Sequence, residues 1–256
     1  MGVPPRAPLE WAERWQRSWD RLEEALVPDR ERLISTLLDV AEAMAGPAPT
    51  VVDLACGPGS ITSRLLDRLP LARSIAVDVD PVLLTIASAT FANDDRVQVV
   101  RADLRDPGWR DALPESEVDA VLTSTALHWL PEDAVRRLYR DLAGLVRRGG
   151  VVAHSEQMPL TDLPRIAPAL AEIARQRGAE PDDRRARWDA WWDQASREPA
   201  LQPAVTQRRS VFETTYPTEE FSPPADWHIT ALRDAGFAEA GVVWRSGPAA
   251  VVAAAR

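Results

Sequence analysis

Residues 51–62, VVDLACGPGSIT, constrain the fold of this chain more than any other stretch. The apolar run Val51, Val52, Leu54 and Ala55 suits a strand buried on both faces of a parallel sheet, since a strand with one wet face would alternate. Gly57 and Gly59 follow at once and Ser60 opens a helical pattern, so a strand becomes a helix within a few residues. Glycines at such a turn allow the backbone angles of the reversal, and they let a bound molecule approach the main chain with no Cβ in the way. Asp53 interrupts the apolar strand. A carboxylate there needs donors or a cation, because burying it unpaired is costly.

The pattern recurs downstream. Residues 74–79 read as a second buried strand with Asp78 at its end, and Asp80-Pro81 reads as an N-cap followed by proline in the first helical turn. A helix over 82–90, a strand over 97–100 leading to Asp103 and Leu104, and a strand over 118–123 follow in order. That fourth strand runs into Ser124, Thr125, Ala126, Leu127, His128 and Trp129. An amphipathic helix over 134–146 ends at the Arg-Arg-Gly-Gly of 147–150, and a fifth strand opens at 151–153 with His154 and Glu156 at its carboxyl end. Strands alternating with helices predict a parallel sheet covered on both faces. Ligands of such sheets bind beyond the carboxyl ends of the strands where strand order reverses, here between the first and fourth.

VVDLACGPG, then SIAVDVDP at 74–81 and VRADL at 100–104, resemble the class I S-adenosylmethionine (SAM)-dependent methyltransferase family in wording and in order. The resemblance covers roughly residues 45–256. It implies a doubly wound α/β fold with a seven-stranded Rossmann-like sheet of order 3-2-1-4-5-7-6, its last pair antiparallel, with N-terminal helices and a helical cap insertion. It implies SAM as cofactor and no metal. By the same resemblance Asp53, Ala55, Cys56, Gly57 and Gly59 hold the cofactor. Asp78 takes the ribose hydroxyls beside Val79, and Asp103 accepts from the adenine amino group with Leu104 packed on the ring. Ser124 and Thr125 fall near the amino-acid end. Cys56 reads as a small packed residue of the turn rather than a reactive thiol.

His128, His154 and Glu156 are the candidates for deprotonating a methyl acceptor; an imidazole there either takes the proton or only shapes the pocket. The expected reaction is transfer of methyl to an O, N or C atom of a small molecule, with a place in bacterial secondary metabolism suggested by composition and family. A second reading keeps the fold without the transfer, as a cyclase, isomerase or binding subunit. A nicotinamide oxidoreductase is disfavoured, because Thr62 stands where the third glycine of its fingerprint belongs.

Three units are expected: residues 1–49 as an N-terminal helical lid, 50–158 with 225–256 as the cofactor domain, and 159–224 as a helical cap over the substrate site. Trp11, Trp15 and Trp19 lie at helical spacing on a helix over 9–27, with Arg14, Arg17 and Asp20 on its water face. That stripe is either a packing seam, a lid on the substrate opening, or a surface for a second copy or a partner protein. In the insertion Trp188 and Trp192 share a helical face. They join Trp11, Trp15, Trp129 and His228 as candidate substrate contacts, although packing explains the tryptophans equally well and His228 suits either the core or the cleft. Arg184, Arg185, Arg187, Arg208 and Arg209 read as a solvated charged face in preference to a contact for an anionic substrate.

A net charge of −9 opposes a broad nucleic-acid surface. No apolar run approaches the ~18 residues of a membrane span, and the opening residues carry no basic-then-apolar leader pattern, so a cytoplasmic location is expected.

Overall fold

The computed structural model describes residues 9–177, 183–212 and 220–256; the first residues of the expected lid fall outside this set. Seven strands form one sheet of order β3-β2-β1-β4-β5-β7-β6. They are β1 (Thr50–Leu54), β2 (Arg73–Asp78), β3 (Val97–Arg101), β4 (Val118–Ser124), β5 (Val146–Gln157), β6 (Glu239–Ser246) and β7 (Ala249–Ala255). The first five run parallel, and β7 lies antiparallel between β5 and β6. The expected order is the observed one.

Alternation along each strand builds the two layers. Val51, Ala120, Leu122, Val151 and Val251 point into one apolar cluster with α2 (Arg30–Ala45) and α3 (Ser60–Arg68). Val52, Leu54, Val121, Val152 and Val252 point into the other, with α5 (Glu132–Leu145) and α9 (Ala225–Asp234). A period-two strand that is apolar at every position must be covered on both sides, and it is. The parity also sends Asp53 toward α3.

Two expectations about local structure are corrected. Residues 147–150 do not stop the preceding helix but lie inside β5, because the chain end pairs with them: Gly149 N donates to Arg256 O at 2.9 Å and Arg256 N to Gly150 O at 3.1 Å. The two helices of the expected N-terminal lid also do not form one unit. α2 is a full layer of the sheet, and only α1 (Leu9–Leu26) lies across the glycine turn.

α1 is held there by both faces. Trp11, Trp15 and Trp19 are buried with Val82, Leu83 and Ile86 of α4 (Pro81–Thr90) and with Trp191 of α7 (Arg184–Arg197). Trp15 and Trp19 meet the Trp191 ring edge-on at 5.4 and 4.9 Å, and Trp188 and Trp192 close on Trp19 at 5.7 and 6.2 Å. Each such pair adds about 0.5–1.5 kcal/mol to the burial of its rings. Asp20 does not face water: it accepts from Ser60 Oγ at 2.6 Å and pairs with Arg30 at 3.0 Å and Arg64 at 3.2 Å. Of the readings open for the aromatic stripe, the packing seam is the one observed: its tryptophans are taken up inside the chain. The insertion adds α6 (Ile166–Arg177), α7 and α8 (Gln202–Phe212). No helix among the described residues is long and apolar enough to cross a membrane.

Candidate active site

The carboxyl ends of β1, β2, β3 and β4 converge on the glycine turn. Gly59 has φ +91°, and a Cβ there would lie 2.4 Å from the Phe91 ring, so only glycine fits. Beside it, Cys56 is buried, and burial pushes its thiol well above the usual range, which suits a packed residue. Ala55 (φ 56°) and Thr125 (φ 51°) are left-handed without being glycine. They follow β1 and β4, the two strands that flank the reversal of strand order. Backbone strain of this kind collects at ligand sites.

Asp53 is fully buried, and its Oδ2 accepts from Thr62 N at 3.0 Å and Thr62 Oγ1 at 2.7 Å. Its Oδ1 is buried with no hydrogen-bond partner among the described residues. Burial lifts its pKa to about 6 against the opposing pull of Thr62. Asp78, at the end of β2, accepts from Gly57 N at 2.8 Å, Val79 N at 2.7 Å and Asp80 N at 2.8 Å, and burial lifts it to about 6 as well. Three main-chain donors fix its carboxylate, two on Oδ1 and one on Oδ2, and Oδ2 keeps lone-pair capacity for a further donor.

Asp103 and Val79 line an open cleft of about 500 Å³ with Ala102, Trp109 and residues of α8. Arg105 grips Asp103 through Nε at 2.9 Å and Nη2 at 2.5 Å; burial acts to raise this carboxyl, but the guanidinium holds it below its ordinary value. Leu104 turns away from the cleft and packs on the main core. Ser124 Oγ accepts from Ser155 Oγ at 2.7 Å, and Thr125 N donates to Ser155 O at 2.8 Å.

The three residues expected to handle protons separate into two groups. His128 lies in a single 3₁₀ turn, Leu127–Trp129, whose opening amides Ala126 N and Leu127 N both donate to Glu156 Oε1 at 2.7 Å. Glu156 Oε2 lies 3.0 Å from His128 Nδ1. Burial alone would depress the imidazole, but the hydrogen bond and charge of Glu156, with Glu220 and Glu23 behind it, raise its pKa above 6.5. An anionic Glu156 accepts the Nδ1 proton, which leaves Nε2 as the basic nitrogen. Trp129 stands beside it, ring to ring at 5.0 Å and 38% exposed.

His154 joins the other group. It is fully buried, its Nε2 3.2 Å from Tyr139 Oη, which is also 2.7 Å from His228 Nδ1. Burial holds His154 well below its ordinary pKa and takes His228 down to about 4. Both are neutral core histidines closed off from the cleft, which corrects His154 as a proton acceptor and His228 as a substrate contact. Trp11, Trp15, Trp188 and Trp192 belong to the tryptophan cluster under α1, so of the proposed substrate contacts only Trp129 is both exposed and beside His128. Tyr139 and Gln16 have no signal in the sequence, and Thr62 has none beyond breaking the dinucleotide fingerprint. Gln16 Nε2 donates to Pro58 O at 3.0 Å and Ser63 Oγ at 2.8 Å, clamping α1 on the turn.

A doubly wound sheet with strained strand ends, a glycine turn and three acids in series defines a nucleoside-cofactor domain. Residues 51–150 match the family model described as a methyltransferase domain. Trans-aconitate 2-methyltransferase of Azoarcus sp. strain BH72 is 37% identical over 131 residues, 51% of this chain and 46% of that protein. The enzyme of the same name from Escherichia coli O7:K1 is 36% identical over 136 residues, 51% and 49% of the two chains. The chain spans about half the length of these curated relatives. Among solved structures, an O-methyltransferase family protein from Burkholderia thailandensis has a TM-score of 0.55 at 20% identity, covering 97% of this chain and 71% of that one. The DhpI-SAM-HEP complex has a TM-score of 0.55 at 18% identity and covers 100% of both. Over residues 51–150 the chain is therefore similar to methyltransferase domains, and its fold is shared with solved methyltransferase structures.

Proposed function

We propose that this chain binds SAM across the glycine turn and directs its methyl group to a small-molecule acceptor held near His128. The buried, unpartnered Oδ1 of Asp53 carries the cofactor part of the reading: a carboxylate with no protein donor on one oxygen suits a ligand that brings donors of its own. Asp78 would hold the ribose hydroxyls and Asp103, in the adjoining cleft, the adenine amino group. The bound sulfonium supplies an electrophilic methyl carbon. The protein's share is alignment and exclusion of water, and α1 provides the second by roofing the turn. His128, oriented by Glu156, would take the proton of the attacking group on Nε2.

The acceptor side supports an uncharged or amine-bearing small molecule rather than a polyanion. Glu23 and Glu220 add negative field around His128, and a tricarboxylate such as the trans-aconitate in the relatives' names would meet it unfavourably. A role in secondary metabolism is the accompanying pathway class, supported by fold neighbours such as the pyocyanin biosynthetic protein PhzM.

Calorimetric titration with SAM and S-adenosylhomocysteine (SAH), wild type against Asp78→Ala, tests the cofactor assignment. Binding lost in the variant is expected. SAH release in step with a mass gain of one methyl, over a panel of hydroxyl, amine and carboxylate acceptors that includes trans-aconitate, tests the transfer. Binding without release would favour the non-methylating reading.

A further inference from the structure

We propose that α8 is a wall of the cofactor cleft and that Arg208 latches it to the β2–α4 turn, so that the cap insertion governs release of the cofactor. The inference rests on the cofactor reading above. Ser210 and Val211 of α8 face Val79, Ala102 and Asp103 across the same cleft of about 500 Å³. The nucleoside end of the ligand would therefore be enclosed between the sheet and the cap.

Arg208 lies less than one turn before that wall. Its Nε donates to Asp80 Oδ2 at 2.6 Å, and its guanidinium carbon stacks 3.6 Å from the centre of the Trp192 ring and 4.3 Å from that of Phe212. It is thus no part of a solvated charged face. Asp80 is almost fully buried and has two duties: Oδ1 caps α4 through Val82 N at 2.8 Å and Leu83 N at 3.4 Å, while Oδ2 takes Arg208. Asp80 N also donates to Asp78 Oδ1 at 2.8 Å, so the latch and the ribose acid share one turn of backbone. A weaker contact, Arg101 Nη1 to Gln207 Oε1 at 3.3 Å, ties the same helix to β3.

Removing one partner of a buried ion pair leaves the other charge uncompensated, and the penalty is larger than the net worth of the pair. Here the stranded group would be Asp80, and the cheapest relief is for α8 to move off and admit water. That motion opens the nucleoside side of the cleft.

Stopped-flow and calorimetric measurement of SAH binding to the full chain tests this with Arg208→Gln, Arg208→Lys, Asp80→Asn and the double variant. Asp80→Asn keeps the cap acceptor and removes the charge, so it remains informative if Arg208→Gln folds poorly. Arg208→Gln and Asp80→Asn are each expected to speed SAH release roughly ten- to hundredfold. The double variant is expected to release it no faster than either single one, and Arg208→Lys to fall between them and wild type. Hydrogen exchange should rise in α8 in the same variants without ligand. Wild type that binds SAH while the variants release it at the wild-type rate would overturn the latch alone. Wild type that binds no SAH would overturn the cofactor reading and the latch with it.

Discussion

Glu156→Gln separates the two things that Glu156 does to His128. The carboxylate is 6% exposed on its side chain and takes three donors, two amides on Oε1 and the imidazole on Oε2. Glutamine keeps an oxygen for the amides and turns its NH₂ toward Nδ1. An imidazolium cannot pair with that group, whereas a neutral ring can, by accepting on Nδ1 and carrying its proton on Nε2. A charge-assisted hydrogen bond of this kind contributes about 1.5–3 kcal/mol, which corresponds to roughly one to two pKa units. With that support gone, burial prevails and the His128 pKa should fall below 6.5, since only Glu220 and Glu23 oppose it. The assay is a proton NMR titration of the ring protons, and the chain has 3 histidines. His154 and His228 are held neutral far into acid, so the signal that titrates above pH 6.5 in wild type should be His128. In the variant that midpoint drops, and turnover falls about 10²- to 10⁴-fold while SAH affinity stays unchanged. A wild-type His128 that titrates below 6.5, or a midpoint unmoved in Glu156→Gln, would refute the dyad.

Three further outcomes are expected. The Asp53 pKa is raised from 3.8 to about 6 in the fold, so its charge destabilises the protein above that pH; Asp53→Asn should raise the stability of the ligand-free protein by about 1–3 kcal/mol in denaturant melts at pH 8 and weaken SAH binding by calorimetry. Gly59→Ala forces a Cβ into the Phe91 ring at φ +91°; a loss of at least about 2 kcal/mol is expected in thermal melts, partly restored by Phe91→Leu. His228 is lowered from 6.5 to about 4, so the unfolded chain binds the proton first: its contribution is complete above pH 6.5 and is lost as pH falls toward 4. Wild type should therefore lose up to about 3 kcal/mol relative to His228→Asn across that window, read by urea melts at several pH values. Asp53 and Asp78 act in the opposite direction over nearly the same range, and only the difference between the two proteins isolates the histidine.

The centre of the sheet was legible because β1, β2 and β4 carry apolar residues on both faces, a pattern that follows from burial on both sides, and because Asp78 ends β2 and Asp103 follows β3. The Asp80 cap was legible because N-capping is local: the residues that satisfy it lie within three positions. The dyad was not. Its members are 28 positions apart, and they meet only because β4 and β5 lie in parallel register, Ser124 opposite Ser155, so that the turn after β4 folds back over the end of β5. The same register gives no sign that His154, two residues earlier on the same face of β5, points into the core beneath α5 rather than the cleft. That outcome depends on Tyr139 of α5 and His228 of α9, which no pattern local to β5 brings to it. Thr62 carried a faint signal, a hydroxyl residue where a dinucleotide turn would place glycine; its use as a donor to Asp53 needed the parity of β1. The left-handed angles at Ala55 and Thr125 have no sequence signature, because both residues are ordinary ones strained by their surroundings.

α1 shows why a correct stripe can still point to the wrong role. Trp11, Trp15 and Trp19 recur every fourth residue and fix which side of the helix is buried, and the burial is real. The residues that address the site are an adjacent, mostly polar row: Gln16, Trp19, Asp20 and Glu23, at the i, i+3, i+4, i+7 spacing of one helical face. Gln16 and Asp20 grip the glycine turn and α3, and the Trp19 indole stands 3.7 Å from where a Gly57 Cβ would be. One turn further on, Glu23 lies in the electrostatic field of His128, burial raising its own pKa while Arg30 and the imidazole draw it down. A single helix therefore grips the proposed cofactor turn through Gln16 and Asp20 and sets Glu23 in the electrostatic field of the proposed proton acceptor. The tryptophans anchor it by packing, the polar row reads the site, and any movement of α1 alters both halves together.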